Sequence, residues 1–146
     1  MRREIERTLQ HAQFLARHLH GGISPVVVAI LIELDVPTNR DGFEYIKKAI
    51  MKVKEDPTQG LMKEVYSFVA NSNCDDDIKK IDQAIGSAIN QAWKRRDEDI
   101  WYYFFPIDKY GRIAKPSNSE FIYMIARFLE LWEGCCEEVR HEKEKR

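Results

Sequence analysis

The segment from Ile78 to Trp93 constrains the fold of this chain more than any other. Its apolar residues recur every three or four positions without a break, which is the period of one face of an α-helix. These residues are Ile78, Ile81, Ala84, Ile85, Ala88, Ile89, Ala92 and Trp93. We therefore predict a long amphipathic helix here, with one face buried and the opposite face polar.

The segments before and after it show the same helical period, and Gly, Pro, Asp or Ser residues separate them. Further helices are predicted over residues 3–20, 25–34, 41–56, 59–70 and 97–105, and from Lys115 onward. The run from Val26 to Ile32 could instead form a strand, because Val and Ile dominate it. Since no second strand is evident, we predict a central helix there. The fold class is therefore all-α, a single domain of six or seven helices.

We expect three parts along the chain. Residues 1–22 form an extra N-terminal amphipathic helix, residues 23–134 the main domain, and residues 135–146 a charged tail without a core-forming pattern, which we expect to be disordered. Pro106 to Ala114 is typical of a turn or a small hairpin. Ser117 and Glu120, three residues apart, predict a capping box at the start of the last helix.

Composition excludes several classes of protein. The 146 residues include 23 Lys and Arg against 24 Asp and Glu, so a nucleic-acid surface could arise only from local segregation of charge. The apolar run Val26–Ile32 is far too short to span a bilayer. Three cysteines, two of them adjacent (Cys135 and Cys136), suit a reducing cytoplasm. Cys135, Cys136 and His141 lack a zinc-type spacing, and we find neither a catalytic set nor a nucleotide loop. We therefore expect no metal, no cofactor, no membrane association and no enzymatic activity.

The two helices that flank Asn71–Asp77 have the outline of a helix-turn-helix, in which the second helix lies in the DNA major groove. The polar face of that second helix carries lysines, amides and hydroxyls, which can meet phosphates and base edges. From it we select Lys79, Lys80, Gln83, Ser87, Asn90 and Lys94 as DNA-contacting residues. Between Ile78 and Arg96 five cations stand against a single acid. The alternative is that this face is simply the solvated side of a long helix.

Three neighbouring features allow two interpretations each. Asp75, Asp76 and Asp77 either repel phosphate or cap the helix, one as N-cap and the others at the positive end of the helix dipole. Gly86 allows close approach either of DNA or of another helix. The helix start after Lys115 either binds a backbone phosphate, with Lys115 adding charge, or is satisfied by its own capping box.

Four stretches of the chain resemble a known family. They are Leu34–Pro37 with Gly42–Ile46, Lys48–Ile50, Ile81–Trp93, and the string Lys115-Pro-Ser-Asn-Ser-Glu-Phe-Ile122, which is the most specific. From about Ser24 to Glu133 the chain resembles the C-terminal DNA-binding effector domain of the sporulation master response regulators, stage 0 sporulation protein A. The resemblance implies an all-helical domain that reads a short promoter box through a helix-turn-helix and often occupies DNA as tandem copies.

Two departures from that family matter. Where its recognition helix is rich in arginine at base-facing positions, this sequence has Gln83, Gly86 and Ser87. Residues 1–20 show no receiver-domain pattern, so we expect no control by phosphorylation within this chain.

These observations lead to two functional hypotheses. The first is a cytoplasmic, sequence-specific transcriptional regulator that binds a promoter box in duplex DNA, as a possible homodimer or as tandem copies. The second is an interaction module that has kept the fold and lost DNA affinity, and that pairs with a full-length regulator or another partner, for example through the N-terminal helix.

Overall fold

The structure is a computed structural model that describes residues 5–8, 10, 24–56, 62–105 and 109–144, with side chains as far as residue 132. Residues 5–8 and 10 are helical. The helices with defined bounds are α1 (Ser24–Glu33), α2 (Asp41–Glu55), α3 (Met62–Ala70), α4 (Asp75–Arg95), α5 (Glu98–Phe104) and α6 (Asn118–Glu144). No strand occurs among the described residues, so the all-α prediction is confirmed.

Helix α2 is the centre of the fold, since α1, α3, α4 and α6 all pack against it. Helix α4 also contacts α3 and α6, and the short α5 lies against α6. The buried core is entirely apolar among the described residues, and Trp101, Phe121, Ile30, Ile46 and Ile85 are among its largest members. The aromatic segment 101–105 therefore belongs to the core, as its composition indicates.

Helix α1 buries Val26, Val27, Ile30 and Leu31 and exposes Ile32, and the strand alternative for Val26–Ile32 is wrong. Backbone hydrogen bonds close its end. Asp35 adopts a positive φ of 63°, Val36 N donates to Leu31 O and Asp35 N donates to Ile32 O. This pair of bonds is a Schellman motif, which satisfies carbonyls at the helix end.

The loop before α6 is a turn, not a hairpin, as far as the structure describes it. Residues 109–117 contain no strand, and residues 106–108 lie outside the described range. Gly111 adopts a φ of 76°, and the hydroxyl of Tyr102 on α5 donates to its carbonyl at 3.0 Å. The turn is thus held by a side chain of α5 instead of by a partner strand.

The two chain ends differ from expectation in different ways. The backbone of α6 runs on past Gly134 to Glu144, so no helix end coincides with the expected boundary at residue 135. The tail is rich in Glu, Lys and Arg, which favour helix without any core contact. At the other end Ile5 is buried, which shows that the first helical turn docks on the domain. Most of residues 1–22 lie outside the described residues, and the three-part division stays a prediction.

None of the described helices combines the length and the apolar composition needed to cross a membrane.

Candidate nucleic-acid interface

Helices α3 and α4 are joined by a turn of four residues, 71–74. Asn71 adopts a φ of 51°, and the bonds from Ser72 N to Ser67 O and from Asn71 N to Phe68 O end α3 in a second Schellman motif. The Ser67 hydroxyl reaches across the turn to Ser72 O at 2.9 Å and to Asn73 Oδ1 at 2.5 Å. Side chains therefore hold the turn and set how α4 leaves it.

The three aspartates form the first turn of α4, and none of them is its N-cap. That position belongs to Cys74, which makes no side-chain capping bond, so the predicted Asp N-cap is wrong. The Ser72 hydroxyl takes part of the capping role, because it accepts from Cys74 N at 3.1 Å and donates to Asp77 Oδ2 at 2.7 Å. Asp75 lies 3.6 Å from Lys63 Nζ. All three carboxylates sit at the positive end of the helix dipole.

The polar face of α4 is open to solvent. The exposed residues are Lys79, Lys80, Gln83, Ser87, Asn90 and Lys94, and Lys115 in the loop before α6 is exposed as well. The seven predicted DNA-contacting residues are thus accessible, which is the condition that any binding role requires. Over its full length α4 carries four cations and four carboxylates. The positive balance expected for residues 78–96 is therefore offset by the aspartates of the first turn.

Arg96 is not part of the polar face. Its Cζ lies 3.8 Å from the ring centroid of Trp93, its Nη1 donates to Trp93 O at 2.9 Å, and its Nη2 lies 3.5 Å from Glu98 Oε1. Arg96 therefore caps the end of α4, where a cation is favoured by the dipole. One of the five cations counted toward DNA in the sequence serves the fold instead.

Asp82 is exposed, and its side chain and carbonyl are held by the start of α6. Asn118, the first residue of α6, donates from Nδ2 to Asp82 Oδ1 at 2.9 Å and to Asp82 O at 3.0 Å. The hydroxyl of Tyr66 on α3 joins the same group. Burial raises the pKa of Tyr66 well above its ordinary value of 10.0, and the adjacent Asp82 carboxylate raises it further, while the bond to Asn118 acts in the opposite direction. One network thus links α3, α4 and α6.

Two glycines show how closely the neighbours of α4 approach. A Cβ at Gly42 in α2 would lie 2.6 Å from Ala84 O and 2.8 Å from Ala88 Cβ, so only glycine fits there. A Cβ at Gly86 would meet the Asn118 side chain at 3.5 Å, an ordinary contact. Gly86 therefore packs beside another helix, as one of its two interpretations holds, although the space does not demand glycine.

The start of α6 lies at the edge of the exposed face of α4, since Asn118 contacts Asp82 and lies beside Gly86. Glu120 N donates to Ser117 Oγ at 3.2 Å, which confirms the first half of the capping box. In a full capping box the Glu120 side chain would accept from the Ser117 backbone N–H. Here Glu120 Oε1 accepts from the Ser117 hydroxyl at 3.1 Å. Lys115 precedes this helix start by three residues.

Sequence reasoning missed Arg40, which precedes α2. With the Gln91 amide in the orientation that satisfies both groups, Gln91 Oε1 accepts from Arg40 Nη1 at 2.7 Å and from Nη2 at 3.2 Å. Arg40 is exposed and lies beside α4 on the edge opposite Asn118, as the helical positions of Gln91 and Asp82 require. No periodicity within α4 could have revealed it, because the contact joins two separate helices.

Among the described residues no three His, Cys, Asp or Glu side chains are grouped as metal ligands would be. The side chains of Cys135, Cys136 and His141 lie outside the described part of the chain.

A helix, a four-residue turn and a long helix with an exposed polar face, set in an all-helical domain, have the outline of a helix-turn-helix. The family model described as "Sporulation initiation factor Spo0A C terminal" matches residues 27–129. The chain belongs to this family, which is a family of DNA-binding regulatory domains and not a family of enzymes. The match begins within α1 and ends within α6. It therefore includes α4, the helices α2 and α3 that pack against α4, and the first part of α6.

Proposed function

We propose that this chain is a transcriptional regulator that binds a promoter box in duplex DNA by placing α4 in the major groove. Lys79, Lys80, Gln83 and Ser87 meet the groove, and Asn90, Lys94 and Lys115 lie nearer the backbone. The observation that carries the proposal is the exposure of six of these side chains on α4, in a chain of a DNA-binding family, with Lys115 exposed in the loop before α6. Its place of action is the cytoplasm, which suits the reduced cysteines.

The chemistry of the face supports this assignment. Lysine neutralises phosphate and releases counterions, and glutamine or asparagine can form two hydrogen bonds to adenine. Two of the aspartates are held by hydrogen bonds, because Asp82 accepts from Asn118 and Asp77 accepts from Ser72, so their carboxylates are fixed in position while they keep their charge.

Binding to a duplex that carries the family's promoter box tests the proposal. Between about 50 mM and about 200 mM salt, affinity should fall steeply, with a slope near −0.9 for each phosphate contacted. Lys79→Ala with Lys80→Ala should weaken binding to all sequences alike and flatten this slope. Lys48→Ala is the control, because it removes a charge from the exposed side of α2. It should leave the DNA affinity and the salt slope unchanged.

Gln83→Ala tests sequence reading separately. It should reduce the affinity ratio between the promoter box and a random duplex, because an amide that bonds to a base edge discriminates by about 1–3 kcal/mol. An unchanged ratio would remove Gln83 from the recognition residues. No complex at low salt, or one insensitive to salt, contradicts the DNA-binding proposal as a whole.

The equal numbers of cations and carboxylates on α4 favour a second candidate, an interaction module with little DNA affinity. In that case the polar face meets a protein, and the N-terminal helix is available for a second copy of the chain. Solution mass measured with and without residues 1–20 separates the cases. A monomer mass in both forms would exclude dimerisation through that helix. Tandem occupancy of DNA is a separate case, and it would appear only on duplexes that carry two promoter boxes.

A further inference from the structure

The middle of α4 lacks cations. Between Ile81 and Trp93 there is no Lys or Arg, and the cations of the helix stand at its two ends, Lys79 with Lys80 and Lys94 with Arg95. In a helix-turn-helix the recognition helix lies in the major groove with its N-terminal residues at the base edges, and other parts of the domain contact the DNA backbone. If α4 binds DNA, charge for backbone contacts beside its later turns can therefore come from another part of the chain.

Arg40 lies beside the later part of this cation-free stretch. Its guanidinium contacts Gln91, which lies one turn beyond Ser87 and between Asn90 and Lys94 in the register of the helix. The position is set by the backbone, because Gly42 brings the start of α2 against Ala84 and Ala88 at a distance that no side chain would allow. The φ and ψ of Arg40, −124° and 153°, are extended, and its side chain makes no capping bond within its own helix.

We propose that Arg40 is a DNA-backbone contact that supplements α4 from the neighbouring helix, an inference that rests on the proposed function. Gln91 is neutral, so it orients the guanidinium without cancelling its charge. A guanidinium has five N–H donors, and the amide oxygen uses two, which leaves three for a phosphate oxygen. The contact is to phosphate and not to a base, because Arg40 lies at the edge of the exposed face and not at its centre.

Carboxylates near Arg40 reduce its contribution to DNA affinity without removing it. Asp41 follows Arg40 and is exposed, so its carboxylate lowers the local positive potential. Glu44, one turn further along α2, is paired with Lys47 at 3.0 Å and adds little. Asp41→Asn should therefore raise DNA affinity if Arg40 touches phosphate.

Binding of the full chain to a promoter-box duplex and to a random duplex, each at two salt concentrations, tests the inference. Arg40→Ala should weaken both complexes by about fivefold to tenfold at low salt and reduce the salt slope by about one. Arg40→Lys keeps the charge and should keep the slope, with a smaller loss of affinity. Gln91→Ala should behave likewise, as expected of a positioning residue. Arg127→Ala, on the exposed side of α6, is the matched control.

The possible outcomes distinguish a failure of this inference from a failure of the DNA-binding function on which it rests. If Lys79→Ala with Lys80→Ala weakens binding while Arg40→Ala leaves affinity and slope unchanged, Arg40 is not a contact and only this inference is overturned. If Arg40→Ala affects the promoter box alone, Arg40 reads a base and the phosphate assignment is wrong. If the unaltered chain binds neither duplex at low salt, the DNA-binding function itself is overturned. Equal melting temperatures for the variants establish that folding is not the cause.

Discussion

The Asn118 amide nitrogen donates to both the carboxylate and the backbone carbonyl of Asp82, a residue 36 positions earlier in the chain. This one side chain fastens the start of α6 to the edge of the exposed face of α4. It also fixes the position of the Asp82 carboxylate, which stays exposed. The contact therefore contributes to the architecture of the candidate interface.

Removing this link should cost stability in a way that depends on both residues. Asn118→Ala and Asp82→Ala should each lower the free energy of unfolding by about 0.5–1.5 kcal/mol, because each removes hydrogen bonds that join α4 to α6. The double variant should cost less than the sum, with a coupling of about 1 kcal/mol. Denaturant titration of the four proteins measures this cycle. Strictly additive losses would show that the two side chains do not interact in solution.

Two glycine substitutions should have opposite effects. Gly42→Ala places a methyl group against Ala84 O and Ala88 Cβ, so it should destabilise the fold by about 1–3 kcal/mol. Gly86→Ala meets only an ordinary contact and should stabilise α4 by up to about 1 kcal/mol. Thermal melts measure both changes.

Gly86→Ala also decides between the two interpretations of that glycine. We expect unchanged DNA affinity, because its packing beside Asn118 accounts for the position. A raised melting temperature together with a large loss of affinity would instead show that DNA approaches the backbone there.

The raised pKa of Tyr66 predicts a loss of stability in alkali. The folded state favours the neutral phenol, so this contribution is complete below the ordinary pKa of 10.0 and declines as pH rises above it. Tyr66→Phe should therefore flatten the decline above pH 10.0. Tyr110→Phe, which alters an exposed tyrosine, is the comparison and should leave it unchanged. An equally steep decline in the Tyr66 variant would contradict the burial of an un-ionised hydroxyl.

Substitutions at Arg96 and Lys94 should have opposite effects: one should change stability and the other DNA affinity. Arg96→Ala removes the stacking on Trp93 and the bond to its carbonyl, so it should cost about 1–2 kcal/mol of stability while DNA affinity changes little. Lys94→Ala should show the reverse, with stability within about 0.5 kcal/mol and a salt slope reduced by about 0.9. Melting and DNA titration on both proteins check this pair. If Arg96→Ala lost affinity at full stability, its assignment to the fold would be wrong.

The sequence by itself determined the helices, the turn before α4 and the polar residues of the α4 face. Periodicity, helix-ending residues and the Ser117–Glu120 spacing are local features, and local interactions decide where a helix begins and which side of it is apolar. Even there, the sequence did not indicate that the backbone of α6 continues past Gly134, because a charged segment can be helical without an apolar period.

Only the tertiary structure decided which charges the face retains. In the folded chain Arg96 caps the end of α4 and Asp82 accepts from Asn118. Arg40 lies beside Gln91. Each of these contacts depends on how closely two helices or helix ends approach, as at Gly42 against Ala84. Such distances are set by packing of the whole core, and no pattern within a single helix encodes them.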